Sequence, residues 1–312
     1  MESVEPFLYN LFSDPDIFKI PLGQKIFAKL LSGSRVNKVR ERYRQIGGKS
    51  PIHEYTEIQR SMLQESLKEI IDGVDVFTAM RYTSPMIKEV AEKINKYKYE
   101  NVLLLPLYPH YSVTTTGSSF NEWKRTYKGD DKKVIYVSDY FDHPKYIQAI
   151  NHRIDDAVRK FPEDARADIQ MLFSAHGTPE SLVKKGDPYS SQIRKTVDDV
   201  MRARSFSHEH HLCFQSKVGP MKWLRPSTDE MILKLAGNNK KQLLIIPISF
   251  VSDQLETLFE LDIEYRAVAE GAGIKNYIVM KGLNDSEIFI SALKDIVMES
   301  LNSQVWIKTK LK

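Results

Sequence analysis

The sequence has few of the features expected in a redox or membrane-spanning protein. Cys213 is the only cysteine among 312 residues. This chain therefore forms no internal disulfide and holds no iron–sulfur cluster that needs several thiolates. No apolar run approaches the ~18 residues of a membrane-spanning helix, and no basic segment followed by an apolar one opens the chain. We therefore expect the protein to work in the cytoplasm.

Charge and nucleotide-binding motifs are also scarce. The net charge of +4 is too small to indicate a nucleic-acid partner, although it suits acidic small molecules or weak contact with a membrane surface. No Gly-x-Gly-x-x-Gly is present, and Gly48–Ser50 lacks the rest of a phosphate-binding loop because Tyr43 stands where its first glycine belongs. His208–His211 lacks the spacing of a helical zinc site.

Short apolar runs alternate with amphipathic helical patterns over most of the chain. This alternation predicts the α/β class, with doubly wound parallel sheets covered by helices on both faces. The predicted strands are Val74–Met80, Val102–Leu107, Lys133–Val137, Ile169–Ser174, Leu212–Ser216, Leu243–Phe250 and Tyr277–Lys281. The predicted helices are Pro85–Lys96, Pro144–Lys160, Ser190–Arg202, Thr228–Leu235, Glu256–Glu270 and Ser286–Leu301.

Two of the strands indicate an internal duplication. The runs 102–108 and 243–250 each place a proline late in an apolar strand and then enter a polar loop and a helix. We predict two similar lobes, residues 1–162 and 163–312. The first lobe has one strand fewer, because the chain opens directly into the helical stretch Val4–Phe18. Ligands of open α/β sheets bind beyond the carboxyl ends of the strands, so the loops that follow the strands should carry the chemistry.

Two of these loops carry histidines and hydroxyl groups. Residues 108–119 follow a buried strand and supply two tyrosines, a histidine and six Ser/Thr hydroxyls. Residues 173–179 place His176 at the end of another strand. A neutral imidazole with a pKa near ~6.5 accepts protons at working pH, so His176 is a candidate catalytic base, although a structural role is as common for a lone histidine.

Two further loops carry aromatic and charged groups. Residues 215–226 combine the flat face of Trp223 with basic residues at 217, 222 and 225, which suits a planar anionic ligand. In residues 252–262, Asp253, Glu256 and Glu260 are three and four positions apart, so we predict that they line one face of a helix. Carboxylates in such a row raise one another's pKa when they are partly buried.

Taken together, these motifs resemble the ferrochelatase family. The matching segments occur in order over nearly the whole chain, at residues 6–15, 43–52, 109–119, 173–179, 186–189, 215–224 and 252–262. The resemblance implies two similar doubly wound, flavodoxin-like lobes of the chelatase kind with a porphyrin cleft between them. It also implies a first strand and a glycine-rich loop before Val4, which this sequence does not contain.

The resemblance also implies an activity. It predicts an enzyme of haem biosynthesis that inserts Fe²⁺ into protoporphyrin IX or a related porphyrin such as coproporphyrin. Fe²⁺ is then a substrate, with no tightly bound cofactor and no iron–sulfur cluster. The aromatic region Phe7–Leu31 would cover the mouth of the cleft and touch the inner face of the membrane, and the protein would be a monomer or a weak homodimer. The alternatives are a cobalt or nickel chelatase and a non-catalytic tetrapyrrole-binding protein.

The resemblance finally assigns roles to single residues. It implies that His176 and Glu256 are catalytic and face each other across the cleft, and that Asp253 and Glu260 extend the route of metal or protons. The implied porphyrin contacts are Arg44, Arg81, Tyr108, Tyr111, Ser112 and Trp223. Gln254 departs from the family, since many members have histidine there, and this puts a metal-relay role at that position in doubt.

Overall fold

The computed structural model describes residues 2–18, 20, 22–97, 99–216 and 221–310, except the side chains of residues 304–310. The α-helices are α1 Val4–Phe12, α2 Gln24–Gln45, α3 Ile52–Lys68, α4 Ile87–Lys96, α5 Ser118–Thr126, α6 Pro144–Val158, α7 Glu180–Lys184, α8 Tyr189–Ala203, α9 Thr228–Gly237, α10 Tyr265–Gly271 and α11 Glu287–Lys310. The strands are β1 Val102–Leu104, β2 Val134–Tyr136, β3 Gln170–His176, β4 His210–Gln215, β5 Gln242–Pro247 and β6 Asn276–Val279. Two π-helical segments, Val113–Gly117 and Glu256–Glu264, complete the elements that matter for the site.

The strands form two parallel sheets. The first contains β1 and β2, with Val102 opposite Val134. The second has the order β4-β3-β5-β6, so β3 lies between β4 and β5. Parallel strands separated by helices confirm the predicted α/β class, and the described part of the first lobe has the smaller sheet, as expected. None of the described helices combines the length and the hydropathy needed to cross a bilayer.

The second sheet is the centre of the core. Six of the seven residues of β3 are buried, from Gln170 to Ala175, because helices cover both of its faces. The cluster around β3 includes Leu63 of α3 and Tyr146 of α6 together with Phe173 of β3. One continuous hydrophobic core therefore joins the two halves of the chain. The division at residues 162 and 163 stays a prediction.

Helices pack by an apolar stripe, as their sequences predict. In α4 the buried residues are Ile87, Val90, Ala91 and Ile94, the spacing of one helical face. The helix α9 begins with a capping box, in which the Ser227 N–H donates to the Glu230 carboxylate at 3.0 Å. The predicted helices are thus present, with shifts of a few residues at their ends.

The predicted strand Val74–Met80 is wrong. Within the described residues this segment has no strand beside it and makes a single bridge, between Met80 and Met86. A β-strand needs a hydrogen-bonding neighbour to satisfy its backbone, and alternating apolar residues alone do not supply one. A cavity of about 550 Å³ is lined by residues 71–81 and residues 99–108.

The predicted helix Glu256–Glu270 is present in a different form. Its first part, Glu256–Glu264, is a π-helix, and α10 follows from Tyr265. Wider turns of this kind are frequent at functional sites. Asp253 precedes the π-helix, so the three carboxylates predicted to share one helical face do not form that row.

Candidate active site

His176 ends the central strand β3, and it is only partly exposed there. Its backbone N–H donates to Ser249 Oγ at 2.9 Å, and its carbonyl accepts from the Tyr189 hydroxyl at 3.0 Å. The imidazole packs edge-to-face against Phe250, with 6.1 Å between ring centroids. Burial lowers the pKa of His176, and the nearby Glu260 carboxylate opposes this only in part. The ring is therefore neutral near pH 7 and has a lone pair for a proton.

The π-helix brings two acidic residues to the same end of the sheet. Burial and, less strongly, the negative charge of Glu260 raise the pKa of Glu256 to about 7, although a hydrogen bond from its own backbone and the charge of Arg42 oppose the rise. Among the described residues, no other residue donates a hydrogen bond to the Glu256 carboxyl. Glu256 is thus divided between its protonated and ionised forms near neutrality, which is the state required of a group that passes protons.

Glu260 lies near His176 and accepts three hydrogen bonds. Its Oε1 accepts from the Ser216 N–H at 2.8 Å and from the Tyr265 hydroxyl at 3.1 Å. Its Oε2 accepts from the Ser216 hydroxyl. Ser216 directly follows the end of β4, where Gln215 is in register with His176. Glu260 therefore joins the π-helix to the strand ends beneath it and keeps a negative charge close to His176.

Asp253 has a different position from the one predicted. Its Oδ1 accepts from the Gly282 N–H and the Thr257 hydroxyl, both at 3.1 Å, and its Oδ2 accepts from Asn284 Nδ2 at 2.7 Å. The residue is buried, with 7% of its surface exposed. These bonds connect the loop after β5 to the loop after β6. Both carboxylate oxygens of Asp253 are therefore engaged in hydrogen bonds within the protein.

The donor set does not form a preassembled metal site. In the part of the chain that the structure describes, no group of three or more His, Cys, Asp or Glu residues is arranged to hold a metal ion. This includes the cluster His208–His211, where His211 Nε2 lies 3.2 Å from Gln170 Oε1 instead. The metal roles of His176, Asp253, Glu256 and Glu260 stay predictions. They concern a metal ion that is a substrate and passes to the porphyrin.

The backbone around Trp223 pairs with the segment that follows His176. Residues 176–180 and 222–224 run antiparallel, with a bridge between Pro179 and Trp223. A Cβ on Gly177 would stand 2.7 Å from the Gln215 carbonyl and 3.4 Å from the Trp223 ring, so only glycine permits this packing. The Trp223 indole N–H is buried and has no hydrogen-bond partner among the described residues. Lys217, predicted to act beside it, lies outside the described residues.

The first lobe contributes Tyr108 and Arg81. Both line the cavity of about 550 Å³, which reaches the second lobe at Phe250 and Gln254. Arg81 is already paired, with its guanidinium 3.0 Å from Asp14 Oδ2 and hydrogen-bonded to the Ser118 hydroxyl at 2.8 Å. Arg81 therefore anchors the turn after α1 to the start of α5 and also borders the cavity.

Tyr111 and Ser112 belong to the loop that ends at Gly117. The Tyr111 N–H donates to Gln192 Oε1 at 2.7 Å. Ser112 is buried, and its hydroxyl donates to Asp187 Oδ2 at 3.0 Å and caps the π-helix Val113–Gly117. Ser112 therefore shapes the loop, and its hydroxyl is not available to a ligand in this arrangement.

Arg44 points away from the cleft, whereas Arg42 points toward it. The Arg44 side chain is 64% exposed and pairs with Glu41 at 2.6 Å, one turn away on α2. The Arg42 guanidinium lies 5.0 Å from the centre of the Phe259 ring and 3.4 Å from Glu264. The sequence analysis named Arg44 and not Arg42. The two residues are two positions apart on α2, so their side chains lie on nearly opposite faces of the helix.

The comparisons with solved structures define the class first. The fold is similar to the sirohydrochlorin chelatase SirB of Bacillus subtilis subspecies spizizenii, determined with cobalt, at a TM-score of 0.52 and 11% identity over 79% of this chain and 89% of that one. It is also similar to CbiX, the terminal enzyme of sirohaem biosynthesis in denitrifying bacteria, at a TM-score of 0.54 and 13% identity over 80% and 94%. At such identities the likeness concerns the fold alone, which is the fold of tetrapyrrole chelatases.

The sequence comparisons specify the family. The family model Ferrochelatase matches residues 1–301. The ferrochelatase of Aquifex aeolicus is 47% identical over 95% of this chain and 94% of its own, and that of Geobacter metallireducens is 45% identical over 96% and 94%. The chain belongs to the ferrochelatase family. Its class of activity is therefore metal insertion into a porphyrin, and the cobalt or nickel chelatase alternative is not favoured.

Proposed function

We propose that this chain inserts Fe²⁺ into protoporphyrin IX or a closely related porphyrin, with His176 as the base that removes the inner pyrrole protons. The observation that carries this proposal is a partly buried, neutral imidazole at the end of β3, close to the Glu260 carboxylate on a π-helix that also carries Glu256. A free porphyrin must lose two N–H protons as the metal enters, so the site needs a proton acceptor and a way to discharge it.

We assign to Glu256 the removal of protons from His176. Its pKa of about 7 lets it take a proton from the His176 imidazolium and release it to solvent within one turnover. In its ionised form it also attracts Fe²⁺ toward the porphyrin, while Glu260 keeps the local potential negative. Fe²⁺ is a substrate of this reaction, and we infer that the chain needs neither a resident cofactor nor an iron–sulfur cluster.

Trp223 is the residue that we assign to one porphyrin propionate. A buried indole N–H without a partner among the described residues costs free energy, and a ligand carboxylate would satisfy it. Replacing Trp223 with phenylalanine should weaken the binding of protoporphyrin IX by up to ~10-fold, the value of one charged hydrogen bond. The matched control is the dimethyl ester of the same porphyrin, for which the variant and the parent should bind equally.

The decisive assay mixes the purified chain anaerobically with Fe²⁺ and either protoporphyrin IX or coproporphyrin. Loss of free-porphyrin fluorescence together with haem absorbance is the expected result, and the faster substrate identifies the physiological one. Imidazole and carboxylate select weakly among divalent ions, so Zn²⁺ and Co²⁺ should also be inserted. Binding of porphyrin without insertion of any ion would contradict the proposal.

We also propose that α2 makes peripheral contact with the inner face of the membrane. Ile26 and Leu30 are four positions apart on α2 and are 68% and 71% exposed, and Leu22, just before the helix, is 90% exposed. Lys25 and Lys29 are exposed beside them, which favours an anionic lipid surface. Because each chain carries all of the site residues named above, we infer a monomer or a weak homodimer.

Vesicle flotation tests the membrane proposal. Vesicles with anionic lipid should retain the protein, and vesicles of neutral lipid should retain less of it. Ile26→Ser should reduce the retained fraction several-fold, whereas Leu233→Ser, at an exposed apolar residue of α9, should not change it. Equal retention of the two variants would rule out this face of α2 as the contact.

A further inference from the structure

A glutamine interrupts the apolar stripe of α3. The buried residues of this helix are Thr56, Gln59, Leu63 and Leu67, and the two leucines belong to the core around β3. Gln59 is 2% exposed and lies one turn before Leu63 on the same face, where an apolar side chain would continue the stripe. Burying a primary amide costs free energy unless it is hydrogen-bonded, so the partners of Gln59 indicate what it does.

The side-chain nitrogen of Gln59 joins two loops of the second sheet. It donates to the Ser252 hydroxyl at 3.0 Å, in the loop after β5, and to the Asn284 carbonyl at 2.7 Å, in the loop after β6. Both loop residues are buried, with 6% of Ser252 and 3% of Asn284 exposed. Hydrogen bonds that are shielded from water are the stronger for it. Gln59 therefore fixes α3 to both loops at once.

Asn284 extends this connection to the loop that precedes the π-helix. Its Oδ1 accepts from the Asp253 N–H at 2.8 Å, and its Nδ2 donates to Asp253 Oδ2 at 2.7 Å. The φ of Asn284 is +44°, a left-handed conformation that asparagine adopts more readily than most residues. A Cβ on Gly282 would stand 2.8 Å from the Asp253 nitrogen and 2.9 Å from Asn284 Oδ1, so the two loops are in close contact here.

Asp253 in turn holds the first turn of the π-helix. The Thr257 hydroxyl donates to Asp253 Oδ1 at 3.1 Å and accepts from the Gln254 N–H at 2.9 Å. Thr257 is 1% exposed and directly follows Glu256. A continuous series of buried hydrogen bonds therefore leads from Gln59 through Asn284 and Asp253 to the residue next to Glu256.

We propose that Gln59 and Asn284 are positioning residues for metal insertion. They fix the start of the π-helix and so place the Glu256 carboxyl relative to His176, while neither of them touches the porphyrin or the metal. This inference rests on the roles proposed above for His176 and Glu256. Protons pass between groups that are within hydrogen-bond reach, so a small displacement of the π-helix lowers kcat without weakening the binding of either substrate.

The first test compares leucine variants of two buried glutamines. Gln59→Leu keeps the size of the side chain and removes both of its hydrogen bonds. Gln170→Leu is the matched control, because Gln170 is 3% exposed and lies at the opposite end of β3 from His176. With protoporphyrin IX and Fe²⁺, Gln59→Leu should lower kcat at least ~10-fold and change either KM less than ~3-fold. Gln170→Leu should leave kcat unchanged.

The second test separates positioning from a general loss of stability. Asn284→Asp sets a carboxylate against Asp253 Oδ2 and should lower kcat at least ~10-fold. Adding Asp253→Asn restores one donor and one acceptor at this contact with the two groups exchanged, so kcat should return to within ~3-fold of the parent. In a Glu256→Gln background, Gln59→Leu should lower kcat no further, although it still lowers the free energy of unfolding.

Hydrogen exchange provides a readout that does not depend on activity. The amide of Asp253 donates to Asn284 Oδ1, and the amide of Gly282 donates to Asp253 Oδ1. Exchange of both amides should be at least ~10-fold faster in Gln59→Leu than in the parent, because the contact between the loops opens more often. Both amides should exchange at the parental rate in Gln170→Leu.

The positioning role is refuted by an active parent whose Gln59→Leu variant keeps its kcat, or by equal losses of kcat in the two leucine variants. It is also refuted if the exchange of groups between Asp253 and Asn284 fails to restore kcat, or if Gln59→Leu lowers kcat as much in the Glu256→Gln background as in the parent. A parent chain that inserts no metal ion would instead refute the proposed function itself, and the positioning role with it.

Discussion

The two sheets differ in how completely their described strands are covered, and the residue that we propose as the base lies at the end of a strand in the better covered sheet. β3 has a strand on each side and helices on both faces, and it ends in His176. β1 has one described neighbour, and the apolar residues that follow it remain partly exposed. A strand that is held on all sides positions the residue at its end within narrow limits, which a general base requires. The first lobe instead contributes Tyr108 and Arg81, which line the cavity.

The largest expected effect contrasts the ends of these two strands. His176→Ala should reduce the rate of iron insertion at least ~100-fold, since it removes the proposed proton acceptor. Tyr108→Phe, at the corresponding end of the first sheet, should reduce it by less than ~10-fold. Insertion rates under anaerobic conditions and porphyrin affinity from fluorescence quenching separate catalysis from binding. Near-normal turnover of His176→Ala would show that His176 is not the base.

The next contrast concerns the stability of the two sheets. Phe173→Ala in β3 should lower the free energy of unfolding by about 3–5 kcal/mol, because the side chain is 0% exposed. Leu103→Ala in β1 should cost about 1–2 kcal/mol, because that side chain is already partly exposed to the cavity. Denaturant titration of both variants measures the difference. Equal losses would mean that the first sheet is as tightly packed as the second.

Glu256 should give the second lobe a pH signature. Its pKa is raised from 4.5 to about 7 in the folded protein, so the folded state binds more protons than the unfolded state between these values. Stability should therefore fall by up to about 3 kcal/mol as the pH rises from 4.5 through 7, and Glu256→Gln should remove that dependence. Chemical unfolding at several pH values provides the measurement.

The pH dependence of the rate of metal insertion should also reflect the ionisation of Glu256. If Glu256 attracts the metal as a carboxylate, the wild-type rate rises with pH through about 7, and Glu256→Gln loses this inflection. Asp262→Gln is a suitable control, since Asp262 is partly exposed and paired with Arg266 outside the site. An inflection near 7 that persists in Glu256→Gln would show that another group titrates.

The smallest effect tests Asp253 as a structural residue. Asp253→Asn replaces the acceptor that faces Asn284 Nδ2 with a donor, so stability should fall by about 1–3 kcal/mol. The KM for Fe²⁺ should change less than ~3-fold, because the remaining carboxylates are untouched. Normal stability combined with a large rise in that KM would restore the metal role predicted from the sequence.

The comparison of the lobes also explains which predictions from the sequence succeeded. The strands around 102–104 and 242–247 were predicted because a continuous apolar run with a late proline is readable locally. Residues 74–80 carry a similar local pattern and are not a strand, since pairing depends on a neighbour that is distant in the chain. The same logic placed His176 at the end of a strand, which is where the structure has it.

Three site assignments needed contacts that no local pattern contains. Asp253 and Ser112 carry the residue types of a site, yet their oxygens are engaged by Asn284 and Asp187. Arg42 was passed over in favour of Arg44 because the rotation of α2 against the π-helix is set by packing. In each case a partner far away in the chain decided whether the group faces the ligand.

The sequence by itself determined the α/β class, the order of most helices and strands, and the family. These follow from periodicity and from motifs that are contiguous in the chain. The tertiary structure alone decided the burial that shifts the pKa of His176 and of Glu256, and the contacts that engage Asp253 and Ser112. Burial and strand pairing depend on residues brought together from distant positions, so only the folded chain defines them.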